Sequence, residues 1–71
     1  MKIKKWKIKK KLVKNLLIKN ELTQTEAATL LKISRSYLNL ILNNKIITGK
    51  KIRQKIGDFF GIDRKKLFFL K

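Results

Sequence analysis

Arg35, Ser36, Asn39, Leu40 and Asn43 recur at steps of one, three and four residues, so in a helix turning about 100° per residue they gather on one face. No apolar partner in the same segment claims that face, because Leu38 and Ile41 point the other way. The residue types suit the reading of base edges. An arginine fork can donate two hydrogen bonds to guanine O6 and N7, Ser36 and Asn39 can bond neighbouring edges, and Leu40 can cover a thymine methyl. Contacts of this kind are each worth about 1–3 kcal/mol of discrimination. Other chemistry has little to stand on. The chain has no His and no Cys, which removes the commonest general base and the commonest metal ligands. Its four carboxylates are Glu21, Glu26, Asp58 and Asp63, two of them at expected cap positions, and its hydroxyls lack a base to activate them. No catalysis, no metal and no cofactor are expected.

A face of this kind needs elements to present it. Thr23 followed three residues later by Glu26 has the form of a capping box, in which each side chain satisfies the other's orphan backbone N–H, so a helix should start at Gln24. Ala27, Ala28, Leu30 and Leu31 form its apolar face, and the two small residues let another helix cross closely. The pattern breaks at Lys32-Ile33-Ser34, and Ser34 is a good cap for a second helix running to about Asn43. Two short helices joined by a tight turn are the layout of a helix-turn-helix.

The expected helix starts share one design, with an apolar residue before the cap and another at the fourth helical position. The pairs are Leu22 with Ala27, Ile33 with Leu38, Ile47 with Ile52, and Ile62 with Leu67, around the caps Thr23, Ser34, Thr48 and Asp63. An earlier helix from about Lys9 to Lys19 turns Leu12, Val13, Leu16 and Leu17 toward the same core. The expected fold is all-α: a compact five-helix domain over residues 12–71, preceded by a basic N-terminal arm over residues 1–11. A chain of 71 residues needs nearly all its apolar side chains inside. The expected core is Leu12, Leu16, Ala28, Leu31, Ile33, Leu38, Ile41, Ile52, Ile56, Phe60 and Leu67. No proline, Gly/Ser run or repeat marks a linker.

Over roughly residues 12–70 the pattern resembles the lambda-type phage repressor and Cro family, also called Xre-like. The matches are Gln24 opening the second helix, Ala28 at the small crossing position, Leu31 and Ile33 flanking the turn, Leu38 and Ile41 as buried positions, and Asn43 closing the recognition helix. The run Phe60-Gly61-Ile62-Asp63, followed by Leu67 and Phe68, looks like the family's closing helices. Two residues depart from the pattern: Lys32 stands where the family usually has Gly, and Asn44 replaces a common Gly after the recognition helix. Asn tolerates a left-handed backbone well, whereas a left-handed Lys32 costs roughly 1 kcal/mol. The resemblance implies a lambda-repressor-like fold. It also implies that Gln24 and Asn43 clamp backbone phosphates, contacts that set register and carry little sequence information.

A formal net charge of +16 calls for a polyanionic partner, and duplex nucleic acid is the obvious one. Lys45, Lys50 and Lys51 flank the motif and are the expected phosphate contacts, most other lysines being solvated surface. Tyr37 is open between a phosphate contact and packing on the fourth helix. The run Met1 to Lys11, MKIKKWKIKKK, has three readings: an arm wrapping the duplex, a short strand or helix extension packed through Trp6, or a membrane-surface segment. It lacks the uninterrupted apolar stretch of a secretory signal, and no span of about 20 apolar residues is present. A membrane partner is therefore not expected. Leu67-Phe68-Phe69-Leu70 should partly close the core and partly bury against a twin subunit.

The function expected is a sequence-specific double-stranded DNA-binding transcriptional regulator, a repressor of phage or mobile-element type in the bacterial cytoplasm or nucleoid. It would bind a near-palindromic operator as a homodimer with recognition helices about 34 Å apart. The alternatives are a DNA-binding accessory factor in recombination or a toxin–antitoxin system, and a cationic membrane-active peptide.

Overall fold

In the computed structural model, which describes residues 5–70, the chain runs β1 (Trp6–Ile8), α1 (Lys10–Lys19), α2 (Gln24–Leu31), α3 (Arg35–Leu42), α4 (Lys50–Phe60), α5 (Arg64–Leu67) and β2 (Phe68–Leu70). The five helices are those expected. α2 starts at its capping box: the Glu26 N–H donates to Thr23 Oγ1 at 3.1 Å and the Thr23 N–H donates to Glu26 Oε1 at 3.0 Å. Those bonds, led by the Thr23 backbone N–H, hold the Glu26 carboxyl below its ordinary range. The Tyr37 N–H donates to Ser34 Oγ at 3.0 Å, which opens α3. Between the two helices Lys32 takes the left-handed conformation, φ 60° and ψ 39°. Its N–H donates to the Thr29 carbonyl and that of Ile33 to the Ala28 carbonyl, so the last carbonyls of α2 are satisfied despite the missing glycine.

Ala27 and Ala28 are buried between α2 and its neighbours, and the core is completed by Val13, Leu17, Leu31, Leu38, Ile41, Leu42, Ile56, Leu67, Phe68 and Ile8. Of the expected core, Leu12, Leu16, Ile33, Ile52 and Phe60 are half-buried against this cluster rather than inside it. Gly57 is buried in α4, and a Cβ there would stand 2.8 Å from the Ile62 carbonyl oxygen, so glycine is what lets the turn before α5 fold back on α4.

The start of α4 corrects one expectation. The N-cap is Gly49, not Thr48, and the staple residue Ile47 is 57% exposed instead of packing on Ile52. The Gly49 carbonyl accepts the first helical bond, from the Arg53 N–H, while the Arg53 guanidinium takes the Thr48 carbonyl at 2.6 Å. Arg53 thereby draws Thr48 inward. The Thr48 hydroxyl is buried and finds no hydrogen-bond partner among the described residues. The sign of one substitution separates the two arrangements. Loss of a capping hydroxyl costs about 1 kcal/mol, whereas Thr48→Val removes an unpartnered buried hydroxyl and is expected to be neutral or to stabilise by up to about 1 kcal/mol. The urea midpoint of the purified variant reads this directly.

The N-terminal segment also differs from a free arm. Among the described residues it contains β1, which pairs antiparallel with β2 in the register Trp6↔Leu70, Lys7↔Phe69 and Ile8↔Phe68, and the first turn of α1. Ile8 is buried, and the Arg53 guanidinium lies 4.6 Å from the centre of the Trp6 ring. The short strand packed through Trp6 is thus the reading that residues 6–8 take. Residues 1–4 of the expected arm, and residue 71 of the expected domain, lie outside the described residues.

Candidate nucleic-acid interface

The buried residues of α3 are Leu38, Ile41 and Leu42, and they turn Arg35, Ser36, Asn39 and Leu40 outward. All four outward residues are exposed. Gln24, the first residue of α2, stands beside them, and with Arg35, Ser36 and Asn39 it lines a shallow notch between the two helices. The capping box places Gln24 there, because it fixes where α2 begins relative to the turn.

A chain of hydrogen bonds crosses this surface. Gln24 Nε2 donates to Asn39 Oδ1 at 3.3 Å, and Asn43 Nδ2 donates to the same oxygen at 3.1 Å and to the Asn39 carbonyl at 2.8 Å. Lys10 Nζ donates to Asn43 Oδ1 at 2.7 Å. Two donors therefore occupy the side-chain oxygen of Asn39, so its Nδ2 is the group offered outward. A donor at that point suits acceptor atoms such as purine N7, guanine O6 or thymine O4.

The expected phosphate contacts fall into separate places. Lys45 follows α3 and lines a cleft against β1. Lys50 and Lys51 occupy the first turn of α4, which carries no acidic residue, and they line an open groove with Gln54, Lys55 and Asp58. Two lysines at the positive end of a helix dipole are mutually unfavourable by some tenths of a kcal/mol each until an anion arrives. Tyr37 is half-buried against the core. Lys10 had no role in the sequence pattern. Its contact with Asn43 spans 33 residues, and nothing local announces it.

Among the described residues no group of three or more His, Cys, Asp or Glu is placed to hold a metal ion, and no helix is long and apolar enough to cross a membrane. A family model described as helix-turn-helix matches residues 13–67, from α1 through α5. The match takes in Gln24, the whole of α3 and Lys45, Lys50 and Lys51, and it leaves β1 and β2 outside. Comparison with curated proteins and with solved structures gave no match.

Proposed function

The chain belongs to the helix-turn-helix family of lambda-type repressors and Cro, a family of DNA-binding regulators, and from that membership we propose a sequence-specific reader of duplex DNA that lays α3 in the major groove. The observation that carries the reading is the division of α3 into a buried apolar side and an exposed side of Arg35, Ser36, Asn39 and Leu40. Arg35, in the first turn, donates its fork to a guanine, Ser36 and Asn39 bond neighbouring edges, and Leu40 covers a thymine methyl. Gln24 and Asn43 bond phosphates on either side and fix the register, Asn43 by giving up one of its two amide bonds to Asn39, and Lys45, Lys50 and Lys51 add charge-assisted phosphate contacts.

One recognition helix reads only a few base pairs, so the protein acts as a homodimer on a near-palindromic operator, with half-sites about 34 Å apart. Occupying such an operator excludes other proteins from it, which makes repression the direct output. A phage or mobile-element setting suits a small, highly basic regulator of this kind.

Selection from a randomised duplex pool at about 150 mM salt, near physiological ionic strength, tests the reading. A two-fold-symmetric motif should be enriched. Arg35→Ala should bind that motif about 5- to 150-fold more weakly, the equivalent of the 1–3 kcal/mol of one bidentate contact. Binding to scrambled duplexes should change far less, and because Arg35 is exposed the circular dichroism should be that of the parent. Enrichment of the same motif with the same affinity by Arg35→Ala would remove Arg35 as a reading residue.

A further inference from the structure

Lys5, Lys7 and Lys45 line one cleft, between β1 and the turn that follows α3, and Trp6, Asn44, Ile46 and Ile47 form its remaining walls. Among the described residues no carboxylate lines it. Lys5 and Lys7 precede the part of the chain that matches the family, so the cleft joins a segment outside that match to the end of α3.

Asn44 builds the cleft. It follows the C-cap of α3 with φ 55°, a left-handed conformation that aims its side chain back at β1. Its Oδ1 accepts the Ile8 N–H at 2.9 Å and its Nδ2 donates to the Ile8 carbonyl at 3.5 Å. The other edge of β1 pairs with β2. β1 is thus held on both sides, and Lys7 is fixed one residue from the doubly bonded Ile8. Trp6 is fixed as well. Arg53 stacks on its ring, and Arg53 is itself anchored through its bond to the Thr48 carbonyl. The guanidinium places a further positive charge over the Trp6 ring.

Three lysines lining one cleft with no carboxylate among the described residues that line it raise the local potential and draw in an anion. The position says which anion. Lys45 comes two residues after Asn43, at the C-terminal end of the helix taken here to lie in the major groove. That groove is about 12 Å wide and is walled by the two sugar–phosphate strands, so a helix end in it lies beside a phosphate. We propose that this cleft binds a backbone phosphate of the duplex held by α3, which makes β1 part of the DNA interface. The proposal rests on the reading of α3 given above.

The test is the salt dependence of binding to the selected duplex, measured from about 50 to 200 mM by fluorescence anisotropy. The variants are Lys5→Ala with Lys7→Ala, Asn44→Gly, and Lys14→Ala with Lys19→Ala as a charge-matched control on exposed parts of α1. The Lys5/Lys7 variant should flatten the slope of log K against log salt by about 0.9 for each cleft emptied. It should weaken selected and scrambled duplexes by the same factor and enrich the same motif. Asn44→Gly keeps the positive φ and removes no charge, and measured below its melting temperature it should flatten the slope in the same way. The control should retain the parent slope.

A Lys5/Lys7 slope equal to that of the parent or the control overturns the proposal. So does a parent slope in Asn44→Gly, which would mean diffuse charge and not a built cleft. If the parent protein enriches no motif, the function reading falls first and this inference with it. A parent that reads a motif while the Lys5/Lys7 slope stays put sinks the cleft alone.

Discussion

Phe68→Ala is expected to destabilise the domain by about 3–5 kcal/mol. Phe68 is 2% exposed and is among the largest fully buried side chains, beside Ile41, Ile56 and Leu67. A domain of this length has roughly 4–10 kcal/mol of total stability, at about 0.05–0.15 kcal/mol per residue. The substitution therefore removes a third to all of it. The loss also propagates, because Phe68 is the register partner of Ile8, and β1 has no apolar anchor deeper than Ile8 among the described residues. The neighbouring Phe69 is exposed, so Phe69→Ala should stay within about 0.5–1 kcal/mol, in the range of surface changes. Urea unfolding of the two variants gives the comparison. Equal and small effects would mean that β2 does not dock as described, and β1 would lose its partner with it.

What the sequence made legible follows the range of the interactions. The starts of α2 and α3 could be placed to the residue because their signals are local: Thr23 with Glu26, Ser34 as a cap, and apolar residues at helical spacing inside eight residues. The left-handed Lys32 was legible only through the family resemblance, since it stands where the family usually has Gly. The boundary at Gly49 was not. Thr48 and Gly49 both suit a cap, and the choice is made by Arg53, whose guanidinium takes the Thr48 carbonyl. The strand pair was hidden for a different reason. Three residues are too few to show an alternation, and the partners stand at opposite ends of the chain. Phe68 was recognisable as apolar but not as a strand residue.

The candidate site divides in the same way. Periodicity alone put Arg35, Ser36, Asn39 and Leu40 on one side of α3, and their exposure follows from the same period. Asn44 was legible only as a residue tolerant of positive φ. Its two bonds to Ile8 span 36 residues, so its work as a latch needs the folded chain. The same is true of the network that turns the Asn39 amide donor outward, where Gln24 arrives from 15 residues away.

Affinity for the operator should fall about 1,000-fold between 50 and 200 mM salt, the effect of six phosphate contacts at about 0.9 log unit each. Three lysines per subunit supply them, Lys45, Lys50 and Lys51, in a dimer. The corresponding change in binding free energy is about 4 kcal/mol, larger than any single base contact. The slope is informative because the chain carries far more charge than the interface needs. A monomer using the same three lysines would give a slope of about −3 and the dimer about −5, of which the two phosphates held at Lys45 in the β1 clefts supply about −2. A duplex gripped by most of the +16 charge of each subunit would be steeper by a factor of two or more. Base contacts add little to the slope, because they displace few counterions. Arg35→Ala should therefore lower the whole line at nearly constant gradient, and a lysine variant should change the gradient while the enriched motif stays the same. Parallel lines for Arg35→Ala and converging lines for Lys50→Ala with Lys51→Ala would separate reading from gripping on this surface. Converging lines for both would place Arg35 on a phosphate and return the reading of base edges to Ser36, Asn39 and Leu40.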